Sequence, residues 1–155
     1  SRTRVQTLGG LHEALYASPD DARVVVGESL GSLCSALRQA WAGGAGQTLE
    51  LAVDPARLSP DAVVPCGLIV HELVTNAFRH GLANRPSGRV QVRLQVEDGQ
   101  VELTVTDDGP GFTTPPRPGA LGLQLVRAMT RQLRGTFETR GSQAILRFPM
   151  TSGDA

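Results

Sequence analysis

The sequence contains no lysine: all fifteen basic residues among its 155 are arginines. This absence excludes a lysine nucleophile and Schiff-base chemistry. It also excludes the P-loop, because the lysine of that motif must reach the β- and γ-phosphates of a nucleotide. Any phosphate bound by this chain must therefore be held by other groups.

Net charge is absent as well, because fifteen acidic residues balance the arginines. The chain thus lacks the basic footprint of a nucleic-acid or anionic-membrane binder. With no apolar run of transmembrane length and no cleavable signal pattern, we expect a cytoplasmic location and no direct membrane contact, whether or not the parent protein is anchored. Cys34 and Cys66 stand in apolar contexts without metal-ligand spacing, which predicts buried, reduced thiols.

The hydrophobic pattern predicts one globular domain built from both helices and strands. Helical spacing covers residues 3–16, the stretch before the glycines at 43–44, the long stretch from Ser59 to Gly81, and residues 121–135. Alternation predicts a strand over 47–54 and two hairpins, over 89–109 and 136–150. This order predicts an α+β two-layer sandwich, with helices on one face of a mixed, mainly antiparallel sheet. The Pro- and Gly-rich "PGFTTPPRPGA" is predicted to be a loop.

The stretch "HELVTNAFRH", residues 71–80, places polar chemistry within an apolar helix. At about 100° per residue, Glu72, Asn76 and Arg79 share one stripe, with Thr75 and His80 beside it. Two interpretations are open at this point. The stripe is either the solvated face of an amphipathic helix or one wall of a binding site.

Two later segments favour a binding site. In "VTDDGPGF", an acid ends a strand beside glycines that let a flat ligand approach the backbone, although Asp-Gly alone is also a common turn. In "GALGLQLV", glycines open a helix whose free N–H groups attract anions such as phosphate. A helix after a glycine loop is common, so this second signal is weak by itself.

Together these segments resemble the ATP-binding domain of sensor histidine kinases, in the GHKL superfamily with the gyrase-type ATPases. "HELVTNAFRH" is similar to the N box, "DDGPG" to the first glycine box, "LGLQLV" to the second, and "GSQAILRFP" to the closing strand of the family. The resemblance covers roughly residues 20–150 and implies the Bergerat-type ATP-binding fold. It divides the chain into residues 1–18, similar to the end of the dimerisation helices, and a catalytic domain over residues 19–151.

The resemblance implies ATP and Mg²⁺ as cofactors and gives roles to the N box. Asn76 matches the Mg²⁺ ligand, and one amide oxygen suffices because Mg²⁺ also takes phosphates and waters. Glu72 matches a position that carries Glu in hydrolytic relatives, where it polarises water, so its role as base or as positioning group stays open. Arg79 and His80 match the basic pair that faces the phosphates. Arginine replaces the commoner lysine there and binds phosphate oxygens bidentately.

The glycine boxes receive the rest of the nucleotide. Asp107 matches the carboxylate that accepts a hydrogen bond from the adenine amino group, a contact that selects against guanine. Gly109 and Gly111 permit the turn beside it, Ser142 stands where the family usually has Thr near adenine, and Thr113 to Gly119 match the ATP lid. Gly122 and the N–H groups of Leu123 and Gln124 would meet the phosphates.

The resemblance implies a kinase whose phosphoacceptor lies elsewhere. The family's phosphoacceptor motif is missing, and His12, in "LGGLHEALY", has the wrong context. The implied partners are ATP, the histidine-bearing dimerisation helices of the same protein and the receiver domain of a response regulator in a phosphorelay. Dimerisation is left open. Departures from the pattern include His71, where this subgroup usually has Asn, and Ala120, where it usually has Gly.

Two alternatives stay open beside the histidine kinase. Glu72 favours a serine kinase of the anti-sigma-factor type or a GHKL ATPase. A third class is a phosphotransfer scaffold that no longer binds ATP, but intact Asn76, Asp107, Gly109 and Gly122 disfavour it.

Overall fold

The computed structural model describes residues 23–41, 46–83, 85–109 and 122–150. The predicted helix over 3–16, the predicted unit of residues 1–18, Gly111 and the predicted lid from Thr113 to Gly119 lie outside these ranges. The division of the chain at residue 18 therefore stays a prediction.

The described residues form three α-helices, one π-helical segment and seven strands. The helices are α1 (Val26–Trp41), α2 (Pro60–Asn76) and α3 (Leu123–Gln132), and the π segment (Ala77–Gly81) directly follows α2. The strands are β1 (Val24–Val25), β2 (Gln47–Val53), β3 (Arg57–Leu58), β4 (Gly88–Glu97), β5 (Gln100–Asp107), β6 (Thr136–Arg140) and β7 (Gln143–Pro149).

Five of these strands form a mixed sheet in the order β2-β4-β5-β7-β6. The pair of β2 and β4 is parallel, and the other three neighbouring pairs are antiparallel. Both predicted hairpins form, and Leu94 lies opposite Leu103 in the first. The short strands β1 and β3, which the hydrophobic pattern did not predict, pair separately. The predicted α+β architecture is confirmed.

The three helices cover one face of the sheet, and α2 packs against both α1 and α3. Because of this central position, α2 is buried on almost every side, from Ala62 to Thr75. Much of the opposite sheet face is polar, with Arg147 bonded to Glu102 at 2.7 Å and to Glu138 at 3.0 Å. Burying each Val or Leu of the core contributes about 1.5–3 kcal/mol, which fixes the helix layer on the sheet. No helix among the described residues is both long and apolar enough to cross a membrane.

The helix predicted to end at Gly81 changes type before it ends. After Asn76 the chain widens into the π segment, in which the Leu82 N–H donates to the Ala77 carbonyl, five residues back, at 2.9 Å. Single π turns inside helices occur often at functional sites. Here the π turn carries Arg79, His80 and Gly81, and it shifts them from the positions that a regular α-helix would give them.

Several strands begin or end at the same edge of the domain, which we call the site edge. The Gly88 N–H at the start of β4 donates to Gly46 before β2, at 2.9 Å. The Arg89 N–H, in the same strand, donates to Asp108 after β5 at 2.8 Å, and the Asp107 N–H donates to the Ser142 carbonyl before β7 at 3.2 Å. These bonds hold the start of β4, the end of β5 and the second hairpin turn together.

Candidate functional site

Asp107 lies at the last position of β5, against the end of the π segment. A Cβ placed on Gly81 would lie 2.6 Å from Asp107 Oδ2, and a Cβ on Gly109 would collide with the Gly81 carbonyl. The Gly109 N–H donates to Asp107 Oδ1 at 2.7 Å. Two glycines thus leave room around a carboxylate that has one oxygen engaged by the backbone.

The environment of Asp107 raises the pKa of its carboxyl group. Partial burial is the largest cause, because it disfavours the charged form, and the neighbouring Asp108 charge adds to it. The Gly109 N–H and the Arg85 guanidinium act in the opposite direction. Arg85 is held nearby, since it donates to the Asp108 carbonyl at 2.9 Å. Asp107 is therefore a half-buried acid that gains from a further hydrogen-bond donor.

A second group of site residues meets where α2 passes the start of α3. Gly122, immediately before α3, has φ +92°, a backbone conformation that residues with a side chain rarely adopt. A Cβ placed there would lie 2.8 Å from Glu72 Oε2 and 3.8 Å from Asn76 Nδ2. Gly122 thus allows the carboxylate, the amide and the first N–H groups of α3 to come close together.

The central residues of the polar stripe within residues 71–80 are buried, so the interpretation of the stripe as a solvated helix face is wrong there. Glu72 is 3% exposed and Thr75 is 7% exposed, while Asn76 is half-buried. His71 is also buried, and its Nδ1 lies 3.7 Å from Glu72 Oε1, beyond hydrogen-bonding distance. Burying a carboxylate is costly unless it is paired or hydrogen-bonded, and Glu72 is buried at the point where α2 passes Gly122.

The remaining predicted residues lie around these two groups. Arg79 and His80 are exposed on the π segment, and the Arg79 guanidinium lies over the Trp41 ring, 5.7 Å from its centroid. At the start of α3, Leu123 is buried and Gln124 is exposed. Ser142 is half-buried beside Asp107 through its carbonyl.

One continuous helical segment connects both groups. Asn76 and Gly81 lie five residues apart, which would be about 7.5 Å along the axis at the α-helical rise of about 1.5 Å per residue. Asn76 faces Gly122, and Gly81 faces Asp107. Residues predicted from three separate segments therefore lie on one side of the domain, within reach of one small ligand.

The oxygen-rich end of this site suits magnesium by its donor chemistry. The Asn76 amide and the Glu72 carboxylate are hard oxygen donors, and the space beside them would be filled by a Cβ on Gly122. Among the described residues there is no cluster of three or more His, Cys, Asp or Glu side chains that could hold a metal alone. Mg²⁺ does not need one when it binds with a nucleotide, because phosphates and waters complete its shell.

Three contributors were not predicted from the sequence. Gly81 was predicted only to end a helix, yet it makes the space for Asp107. Arg85 supplies positive charge near Asp107, and Trp41 at the end of α1 provides the ring beneath Arg79. No sequence signal identifies these roles, because each depends on residues that are distant along the chain.

Comparison with known proteins agrees with this geometry. A family model described as a histidine kinase-like ATPase domain matches residues 37–148. Blue-light-activated histidine kinase 2 of Erythrobacter litoralis is 32% identical over 147 residues, covering 89% of this chain and 42% of that protein. The chain thus spans less than half of the length of the curated relatives it matches.

A solved structure and a shorter relative add to the comparison. The histidine kinase domain of the Erythrobacter litoralis EL346 blue-light activated kinase superposes with a TM-score of 0.81 at 28% identity, covering 96% of this chain and 74% of that one. An anti-sigma F factor of Geobacillus stearothermophilus is 45% identical over 59 residues, covering 37% of this chain and 40% of that protein.

Proposed function

Because the chain belongs to the family of histidine kinase-like ATPase domains, we propose that it is the ATP-binding catalytic domain of a two-component sensor histidine kinase. It would transfer the γ-phosphoryl group of ATP to a histidine outside residues 1–155, from which the group passes to a response-regulator receiver domain. One observation carries this proposal. A single helical segment places Glu72 and Asn76 beside Gly122, and it places Gly81 beside Asp107.

The base end of the site would read adenine through Asp107. Oδ1 already accepts the Gly109 N–H, and among the described residues no hydrogen bond engages Oδ2, which leaves it to accept from the adenine amino group. Guanine carries a carbonyl oxygen at that position, which would leave the carboxylate facing another acceptor. The missing bond costs about 1–3 kcal/mol, so ATP should be preferred to GTP.

The phosphate end would be formed by the start of α3 and by the N box. The first N–H groups of α3, at Leu123 and Gln124, have no carbonyl partner within the helix, and the helix dipole adds to their attraction for phosphate. Asn76 would hold Mg²⁺, which would neutralise charge on the phosphates. Arg79 and His80 would supply positive charge from the π segment.

Catalysis in such a site rests on positioning and on charge neutralisation. Glu72 is buried next to Gly122, so its carboxylate is close to where the phosphates would meet α3. We assign Glu72 the task of orienting the acceptor nucleophile near the γ-phosphate, or of accepting its proton.

The local match to an anti-sigma F factor favours one alternative, in which the acceptor is a serine of a partner protein. The two functions differ in the bond that carries the transferred phosphoryl group. The chain should be incubated with γ-labelled ATP, magnesium and the segment of its parent protein that precedes it. Acid-labile, base-stable label on that segment is expected, because phosphohistidine hydrolyses in acid. Acid-stable label would indicate phosphoserine, and release of free phosphate without protein labelling would indicate an ATPase.

Gly81→Ala tests whether the space beside Asp107 serves the nucleotide. Gly81 is not among the positive-φ residues, so alanine suits its backbone. The new methyl group must instead displace the Asp107 carboxylate, which lies 2.6 Å from its position. We expect a folded protein whose ATP affinity falls about tenfold, the lower end for a lost hydrogen bond to a charged group. Calorimetric titration with Mg-ATP measures the loss.

Gly31→Ala is the matched control, because nothing lies within 4 Å of a Cβ placed there. This helical position should gain about 0.5–1 kcal/mol of unfolding free energy with no change in ATP affinity. Equal ATP affinity in both variants would show that the contact between Gly81 and Asp107 does not belong to a nucleotide site.

A further inference from the structure

The contact between Arg79 and Trp41 joins the π segment to the end of α1. The guanidinium carbon lies 5.7 Å from the ring centroid, within the range of a cation–π interaction. Arg79 is exposed, whereas Trp41 is half-buried and packs against the hydrophobic core. The ring is therefore the fixed partner of the pair, and the guanidinium is the group that it orders.

Arg79 differs from other arginines of the domain in its partners. Arg89 and Arg147 form ion pairs with glutamates, and Arg38 donates to the Leu49 carbonyl at 2.8 Å. Within residues 23–41, 46–83, 85–109 and 122–150, no carboxylate pairs with Arg79. In the part of the chain that the structure describes, its charge thus lies over an aromatic ring and is not neutralised by an acid.

A cation–π contact and anion binding make different demands on a guanidinium group. The contact with the ring uses the positive charge, while the five N–H donors remain able to bind acceptors. An arginine in a cation–π contact can therefore still bind a phosphate bidentately, and its side chain has already lost part of the freedom that binding would remove. A lysine ammonium lacks this planar fork of donors, so it would bind a phosphate as a point charge.

The contact between Arg79 and Trp41 lies between the two groups of site residues along the helical segment. Arg79 lies between Asn76, which faces Gly122, and Gly81, which faces Asp107. We propose that Trp41 is a positioning residue for nucleotide binding, which acts by holding the Arg79 guanidinium so that its in-plane donors meet the phosphates. This inference rests on the proposed ATP site, and it adds a residue that lies outside the three motifs of the sequence.

A double-mutant cycle in Mg-ATP affinity tests the inference. Trp41→Leu should weaken binding about two- to fivefold, the value of an exposed cation–π contact, and Arg79→Met should weaken it about tenfold or more. If Trp41 acts through Arg79, the double variant should bind like Arg79→Met alone. Trp41→Phe, which keeps an aromatic face, should restore most of the affinity. Arg93→Met, which removes an exposed arginine from strand β4, controls for lost charge.

Additive losses in the double variant, or no rescue by Trp41→Phe, would overturn the inference. An unaltered affinity in Trp41→Leu would do the same. Urea unfolding shows which variants are folded, and Mg-ATP affinities are compared among the folded variants only. A lost fold is then not mistaken for a lost contact between Arg79 and Trp41. If the unaltered chain does not bind Mg-ATP, the proposed function fails and this inference fails with it. If the unaltered chain binds Mg-ATP and the cycle is additive, only this inference fails.

Discussion

Replacing Asp107 with Asn is expected to lower ATP affinity at least a hundredfold and to remove the preference for ATP over GTP. The reason is that Asp107 Oδ1 already accepts the Gly109 N–H at 2.7 Å. An Asn that keeps this bond must present its NH₂ group to the adenine amino group, donor against donor. The opposite orientation places the NH₂ group against the Gly109 N–H. Losing a charge-assisted bond and burying an unsatisfied donor together cost about 3 kcal/mol or more.

GTP supplies the internal comparison for this variant. Guanine has an oxygen where adenine has the amino group, so an amide NH₂ can donate to it. Asp107→Asn should therefore lose far less affinity for GTP than for ATP, as measured by calorimetry with both nucleotides. Asp98→Asn, the same chemical change in the exposed hairpin turn, should alter neither affinity. An ATP affinity that survives Asp107→Asn would remove the adenine assignment.

The raised pKa of Asp107 predicts how this site responds to pH. The carboxyl must be ionised to accept from adenine, so ATP affinity should fall as pH drops through the raised pKa, at a higher pH than an ordinary Asp would give. For stability, the folded carboxyl keeps its proton over a window where the unfolded one has lost it. The unfolding free energy therefore decreases as pH rises through that window. At pH 7 the neutral Asp107→Asn should be at least as stable in urea as the unaltered chain, and the pH dependence of ATP binding that remains in Asp107→Asn measures the titration of the nucleotide itself.

Replacing Asn76 with Ala is expected to remove the magnesium dependence of ATP binding, with a loss of about ten- to a hundredfold in the presence of magnesium. Asn76 has ordinary helical dihedrals, φ −63° and ψ −39°, so alanine fits the backbone and should not lower the unfolding free energy. Titrations of ATP with magnesium and with a chelator measure the effect. The parent should bind more tightly with magnesium, and Asn76→Ala should show the chelator value under both conditions.

Gln39→Ala is the control for this change, because it removes an exposed side-chain amide from α1. It should keep the full response to magnesium. A magnesium response that persists in Asn76→Ala would assign the metal to another ligand, and Glu72→Gln would then be the next variant to test.

Much of the fold could be predicted because its signals are local. Alternating apolar residues in β4 and β5 specify both a strand and the buried face, and the turn between them sets the register that places Leu94 opposite Leu103. The spacing of Leu30, Leu33 and Leu37 likewise predicts α1 and the side that it buries. The small sheet of β1 and β3 was not predicted, because two-residue strands carry no periodicity.

In the candidate site, too, some features follow from local sequence and others from tertiary packing. The sequence by itself determined which residue types were available: an amide and a carboxylate one helical turn apart, an acid at a strand end, glycines at a helix start, and arginine as the only permanent cation. Only the tertiary structure decided that Glu72 is buried, that Gly81 makes space for Asp107, and that the Arg79 guanidinium lies over the Trp41 ring. The physical reason is that helix and strand patterns depend on neighbours a few residues away. Burial and close approach depend instead on packing between segments that are 26 to 50 residues apart, as Gly81 and Asp107 or Glu72 and Gly122 are.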